Sequence, residues 1–455
     1  MSRSPGKGLC FEAVVVCGLI VSLVSGAVSA KTIHVNTIDA LNDAVPNAAP
    51  GDEIVLADGA YRDAELRIHG QGGEGSPVLV RAQTEGGVKL TGESNLRLWG
   101  RFVTVQGFSF EDGHPGGTDV VQFRRNDDDH ATDCRLTRCS IVDFNPPDGE
   151  SGKWVSIYGQ RNRVDHCYIA GKTTEGTTLV VWLDGEPNHH RIDHNHFGHR
   201  PDLGKNGGET IRIGTSQMSL TSSATVVENN LFDECDGEIE VISNKSGDNI
   251  YRGNTFDNCA GMLTLRHGDR CLVENNVFLG RGKRGGGGVR VIGAGHVVRG
   301  NHMQGLTGTD DFRTALSIMN TQPNNELNGY ARVEDAVVIG NVVVDCNHPL
   351  TIGTGAGRRN RTLPPKNLTL SRNLFISHSV SAEYLILDKP DGIKAIGNIT
   401  VGHKAPGIIR ASPVNDFERK SDENGLLIPL GYTHLEDAGY APRLLTEEDV
   451  GPGAS

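Results

Sequence analysis

The chain has 455 residues, with 59 glycines, 5% aromatic residues and a net charge of −12 at neutral pH. An acidic balance of that size argues against a nucleic-acid-binding protein, which needs a basic surface to neutralise phosphates, although a cleft can still be locally basic. Abundant glycine with scarce aromatics describes a turn-rich, strand-rich chain with little room for long helices.

Residues 1–30 are laid out as a secretory signal peptide. Arg3 and Lys7 precede an apolar run over 13–24, and Ala27-Val28-Ser29-Ala30 supplies a small-residue cleavage site. The run is too short for an anchor and no second run of spanning length follows. The expected product is a secreted or periplasmic protein with no membrane span. Cys10 and Cys17 would leave with the signal, and Cys134, Cys139, Cys167, Cys235, Cys259, Cys271 and Cys346 would remain. That odd count leaves at least one thiol unpaired within the chain. Most sit in strand-like segments such as Leu136-Thr137-Arg138-Cys139-Ser140-Ile141, so small buried stacking residues are expected.

Past the signal, Ile38, Leu41 and Val45 recur at helical spacing behind Thr37 or Asp39, which predicts a short amphipathic helix over 37–45. A turn and a strand follow over 50–61. From there one unit repeats: a short strand, a turn, a second short strand ending near Asn, Cys or Gly, and another turn. Val226-Val227-Glu228-Asn229-Asn230-Leu231-Phe232 and Val273-Glu274-Asn275-Asn276-Val277-Phe278 are two versions of one phrase. Its landmark residues are Asn230, Asn254, Asn276, Asn301, Asn341, Asn373 and Asn398, with Cys139, Cys167 and Asn195 holding the same place upstream. Strand repeats of roughly 20–30 residues without helices point to a solenoid of β-coils. The predicted fold is all-β: a single-domain, right-handed parallel β-helix over 31–455, capped at its N-terminal end by the 37–45 helix. Stacked asparagines would hydrogen-bond along the axis, a structural role. Residues 320–333 read as a loop inserted into a coil, and 422–455 as a non-repeating tail packed along or over the last coil.

Candidate chemistry gathers between Asn206 and Arg290. Alternation predicts Ile211, Ile213, Ile239, Val241, Val289 and Val291 inward, with Arg212, Glu238, Glu240, Ile242 and Arg290 outward. Glu238 and Glu240 on one strand face repel, and a hard cation sharing the Asn206 amide oxygen would relieve them. A salt-bridged acidic stripe meeting Arg212 and Arg266 is the competing reading. Lys245 lies just past the acidic strand. Arg266, His267 and Arg290 would line the same face, suited either to an anionic sugar or to neutralising the glutamates. His189, His190, His194, His196 and His199 invite a zinc reading, but no carboxylate or thiol spacing accompanies them, which favours a cleft-lining role. Gly171-Lys172-Thr173-Thr174 lacks the upstream glycine of a phosphate loop.

The stretches Asn206-Gly-Gly-Glu-Thr-Ile-Arg-Ile-Gly214, Glu238-Ile239-Glu240, Asn244-Lys245 and Leu265-Arg266-His267-Gly268 resemble polysaccharide lyase family 6, the group of alginate lyases and chondroitinase B. The likeness runs from Pro50 to Pro452. It implies Ca²⁺ held by Asn206, Glu238 and Glu240, Lys245 as base and Arg266 on the acid side; Arg212, His267 and Arg290, on the same face, are expected to bind substrate. The implied reaction is β-elimination on an anionic polysaccharide, alginate first and dermatan sulfate second. Lys245 must be neutral to take the C5 proton, which a nearby dication and Arg266 would favour. Larger members carry a second β-helix domain, for which this chain is too short. A non-catalytic polysaccharide-binding β-helix and a glycoside hydrolase are the rivals from other classes.

Overall fold

A computed structural model describes Met1 and residues 29–454 apart from 148, 309, 379 and 416. The signal-peptide segment therefore lies almost wholly outside the described residues. Among these, two sheets of fourteen strands and one of thirteen run the length of the molecule, and every pairing within them is parallel. Each coil contributes one short strand to each sheet, as in Glu240–Lys245, Ile250–Arg252 and Thr255–Asp257. This is a parallel β-helix, as the repeat predicts. The 37–45 helix is Ile38–Ala44, with Thr37 Oγ1 accepting from Ala40 N at 3.1 Å and Leu41 buried against the first coils.

The core is built from inward columns. Phe197, Phe232, Phe256 and Phe278 stack on successive coils with ring centroids 5.1, 4.6 and 4.5 Å apart. The landmark asparagines form an unbroken ladder from Asn195 to Asn398. Each Oδ1 accepts the backbone N–H of the preceding coil, as Asn254 does from Asn230 and Asn276 from Asn254, both at 3.0 Å. Cys167 N donates to Asn195 Oδ1 at 3.0 Å, so the upstream landmark shares the corner. These side chains are fully buried, and each satisfies turn amides that would otherwise be orphaned. The seven described cysteines are all buried and unpaired.

The tail packs beside the last coils, with Leu435 buried among Leu374, Ile376 and Val401, but does not stop there. After an antiparallel hairpin (Arg419–Ser421 with Leu427–Pro429) it runs back down the outside of the solenoid. Leu427 N donates to Gln304 Oε1, Leu445 N to Thr255 Oγ1 and Gly451 N to the His194 carbonyl, while Arg138 reaches the carbonyls of Pro452 and Ala454. Leu445 and Val450 pack on Leu231. The strap thus covers apolar outward side chains of one sheet.

Candidate active site

The site lies on the thirteen-stranded sheet, on strands Ile211–Ile213, Glu240–Lys245, Met262–His267 and Val289–Val291. Arg212, Ser243, Thr264 and Arg290 pair across these strands and share the outward face. Ile211, Ile242, Leu263 and Val289 form one inward column. Ile242 therefore points inward, contrary to simple alternation. Glu240 pairs with Met262 but Ile242 with Leu263, so Val241 is an extra residue that resets the alternation. A second shift compensates two residues later. Asn244 pairs with Leu265 and Lys245 with His267, leaving Arg266 extra on the partner strand. Paired bulges re-aim side chains without disturbing the coils above and below. Here they bracket Ile242-Ser243-Asn244 and set the directions of Glu240, Lys245 and Arg266.

Asn244 faces the core, where a lone amide would be costly. Its Oδ1 accepts from Tyr251 Oη at 2.6 Å and Asn249 Nδ2 at 2.7 Å, and its Nδ2 donates to the carbonyls of His267 and Ser246. This network fixes the backbone just before Lys245.

Three carboxylates converge on the outward side. Glu209 is 3% exposed, and Glu238 and Glu240 are 8% exposed. Glycine brings their coils together: a Cβ on Gly208 would lie 2.1 Å from the Gly237 carbonyl oxygen, and one on Gly237 would lie 2.2 Å from that of Gly208. Behind them buried Arg200 donates to the Glu209 and Gly176 carbonyls at 2.7 and 2.8 Å. Both Glu240 oxygens are engaged, by Arg290 and Ser243 Oγ. Glu238 Oε2 accepts only the Gly207 N–H, at 3.1 Å, and Glu238 Oε1 is buried without a hydrogen-bond partner. Burial, then the charges of Glu209 and Glu240, push the Glu238 carboxyl up to about 8. An orphaned carboxylate oxygen amid like charges fits a hard dication, whose ligands are oxygens of this kind. Asn206 stands exposed at the rim of this cluster.

Lys245 Nζ lies 3.8 Å from Glu209 Oε1, and its side chain keeps 18% exposure. Arg266 is roofed by the inserted loop: its Nη atoms donate to the carbonyls of Gly329 and Asn328, both at 3.1 Å, and its Cζ sits 4.0 Å from the Tyr330 ring centroid. Burial lowers the Arg266 pKa. His267 is 3% exposed and pushed down to about 3 by burial, then by Arg266 and Lys245. The neutral ring takes one tautomer, with Nδ1 accepting from Arg266 and Nε2 donating to Ser216 Oγ at 3.1 Å.

The fold thus gathers Glu238, Glu240, Lys245, Arg266, His267 and Arg290. Arg290, 4% exposed, faces Glu240 as its counter-ion, and His267 is held behind Arg266. Arg212 turns the other way along the sheet, its Cζ 5.3 Å from the Trp182 ring centroid. Sequence reasoning passed over Glu209, although it lies inside the Asn206–Gly214 stretch, and Tyr330, which an insertion of unknown course could not place. The histidines do not line a cleft together. His190 Nδ1 accepts the buried Asn162 N–H at 3.0 Å in a second corner ladder. His194 lies 2.8 Å from Asp193 and stacks on His166, and His196 turns toward the strap.

No curated protein matches the chain. Among solved structures, an AlyGC variant described as a PL6 family alginate lyase superposes with a TM-score of 0.85 at 40% identity, covering 92% of this chain. Unsubstituted AlyGC gives 0.83 at 40% identity over 91%. The chain spans only 58% and 59% of those two proteins. A mannuronic acid specific family 6 lyase from human gut microbiota gives 0.78 at 31% identity, covering 85% of this chain and 92% of that one. The family model for chondroitinase B matches residues 35–433, and the chain belongs to that family, among the polysaccharide lyases of family 6.

Proposed function

We propose that the protein is an exported, calcium-dependent lyase that cleaves alginate by β-elimination, leaving 4,5-unsaturated uronate ends. The observation that carries this reading is the buried Glu209–Glu238–Glu240 cluster with Lys245 beside it and Arg266 roofed above the next strand. Asn206, Glu238 and Glu240 would hold Ca²⁺, with Glu209 completing the set. Bound there, the ion would supply positive charge against the substrate carboxylate as negative charge builds on it. Lys245 is the partly exposed base in the group and takes the proton from C5 as a neutral amine. As the C4–O4 bond breaks, Arg266 donates a hydrogen bond to the departing oxygen, and solvent completes its protonation. His267 and Tyr330 hold the guanidinium in place.

Substrate binding draws on the same sheet. Beyond Arg212 and Trp182, Tyr158 stacks 5.9 Å from Trp182 and Arg124 lies 4.0 Å from the Tyr158 centroid. Further toward the N-terminal end, a cleft of about 500 Å³ is lined by Arg67, Arg97, Arg125 and Trp99 together with the carboxylates Asp63, Glu65 and Glu93. The guanidiniums and aromatic faces of Arg212, Trp182, Tyr158 and Arg124 suit a chain of uronates. Dermatan sulfate is less well served. Of the arginines near the roof, Arg361 is buried over Tyr330 and Arg358 is paired with Asp311, which leaves Arg359 exposed. A hydrolase would need two carboxylates flanking the scissile bond, whereas these crowd one another out of water. The test is ultraviolet absorbance from the new C4=C5 bond on alginate, polymannuronate and dermatan sulfate, with and without chelator. Absorbance on alginate that chelation abolishes is the expected result; cleavage without unsaturation, or no cleavage of any of the three, overturns the proposal.

A further inference from the structure

The strap crosses the coils on a sheet other than that of the candidate active site, and it leaves one group of side chains without hydrogen-bond partners among the described residues. A ring nitrogen of His196 and one carboxylate oxygen each of Asp233 and Glu447 all lie within 4.8 Å of one another. His196 is 8% exposed, and its Nε2 is buried with no hydrogen-bond partner. Neither the Asp233 nor the Glu447 carboxylate enters a side-chain hydrogen bond or an ion pair among the described residues. Their acidic neighbours differ: Asp236 pairs with Lys283 at 2.6 Å, and Glu234 has His199 at 3.5 Å and Lys283 at 3.7 Å.

The backbone around these groups is fixed. His196–Phe197 and Leu231–Asp233 are adjacent parallel strands, with Phe197 opposite Phe232. Glu447 opens a short helical turn closed by reciprocal bonds between Thr446 and Asp449. That turn is pinned on both sides, by Leu445 N to Thr255 and by Gly451 N to His194. Glu447 is the exposed member of the set, and its side chain is the one with room to move.

We propose that His196, Asp233 and Glu447 bind one divalent first-row transition-metal cation, Zn²⁺ being the natural probe, and that the ion fastens the strap to the coils. One imidazole and two carboxylates make a borderline donor set that suits Zn²⁺, Mn²⁺ or Fe²⁺ better than Ca²⁺, which prefers oxygen alone. Donors on one zinc ion stand roughly 3–3.5 Å apart, given bonds of about 2.0–2.2 Å. Separations of up to 4.8 Å therefore need to shorten by at most about 1–2 Å, with water filling the remaining position.

The test uses the full chain, stripped with chelator and then held in Ca²⁺ so that hard-cation sites are filled. Calorimetric titration with Zn²⁺ should show one equivalent bound, and Zn²⁺ should slow proteolytic release of the C-terminal peptide. Glu447→Gln changes an exposed residue and should leave the fold intact. It should weaken Zn²⁺ binding by about tenfold or more and abolish the protection. His196→Gln should do the same, and Asp233→Asn stands in for it if the buried substitution misfolds. Activity with Ca²⁺ should be unchanged in all three. No bound Zn²⁺, or Glu447→Gln binding within about twofold of the parent, overturns the proposal.

Discussion

Replacing Glu238 by Gln should make the calcium-free protein more stable at alkaline pH, because Glu238 is held charged at a cost. Its side chain is 8% exposed with one oxygen unpartnered, and its pKa stands at about 8 against an ordinary 4.5. A folded-state pKa above the unfolded one means that stability is fully present below about pH 4.5 and is lost as pH rises through about 8. At about 1.4 kcal/mol per pH unit, that window carries at most about 5 kcal/mol. Gln keeps an acceptor for the Gly207 N–H but adds an amide that needs a partner, so a gain of about 1–3 kcal/mol is expected at pH 8.5. For a chain of this length that is on the order of 1–3 °C in Tm. The assay is thermal unfolding of parent and Glu238→Gln in chelator at pH 5 and pH 8.5. Added Ca²⁺ should reverse the order, because a ligand stabilises only the state that binds it. A difference of the same sign and size at both pH values would refute the argument, since the effect would then not arise from an ionised carboxylate.

Other outcomes follow from the same geometry. Lys245→Ala should lower turnover of alginate by about 10²-fold or more, the range for loss of a general base, while calorimetry shows Ca²⁺ binding retained. Tyr330→Ala removes the ring stacked on Arg266 and should reduce kcat more than KM, with a lower Tm as well because the ring also packs against the core. Asn276→Ala, in mid-ladder, strips the acceptor from Asn254 N and the donor to the Tyr251 carbonyl; it should cost about 2–4 kcal/mol, read as a lower Tm at normal specific activity.

The solenoid was legible because its coils repeat, and a repeat shows in one sequence. The Asn230 to Asn398 spacing marks one corner directly, and the helix over 38–44 follows from Thr37 and three apolar positions. Glu238 and Glu240 could be singled out because the alternation predicts outward faces there, and Lys245 because it lies just past that acidic strand. What failed was the assumption of strict alternation: Ile242 turned inward because Val241 and Arg266 are bulged, and a bulge leaves no mark in apolar periodicity. Arg266's roof and the partners of His196 were out of reach for a different reason. Both depend on where non-repeating segments, 320–333 and 422–454, return to the coils, and no local pattern encodes a return.

The strap also orders the events of folding. Coil-to-coil ladder bonds join residues 22 to 40 apart, so the solenoid can zip up one coil at a time as chain becomes available. The bonds from Arg138 to the strap join residues 314 and 316 apart and wait for the C-terminal end of the chain. Closure over that distance costs little more in entropy than over one coil, since the cost grows only with the logarithm of loop length. It must nonetheless come last. Until it does, Leu231 and its neighbours remain open on an otherwise finished solenoid, and this is the interval in which the protein is most exposed to proteases and to other copies of itself.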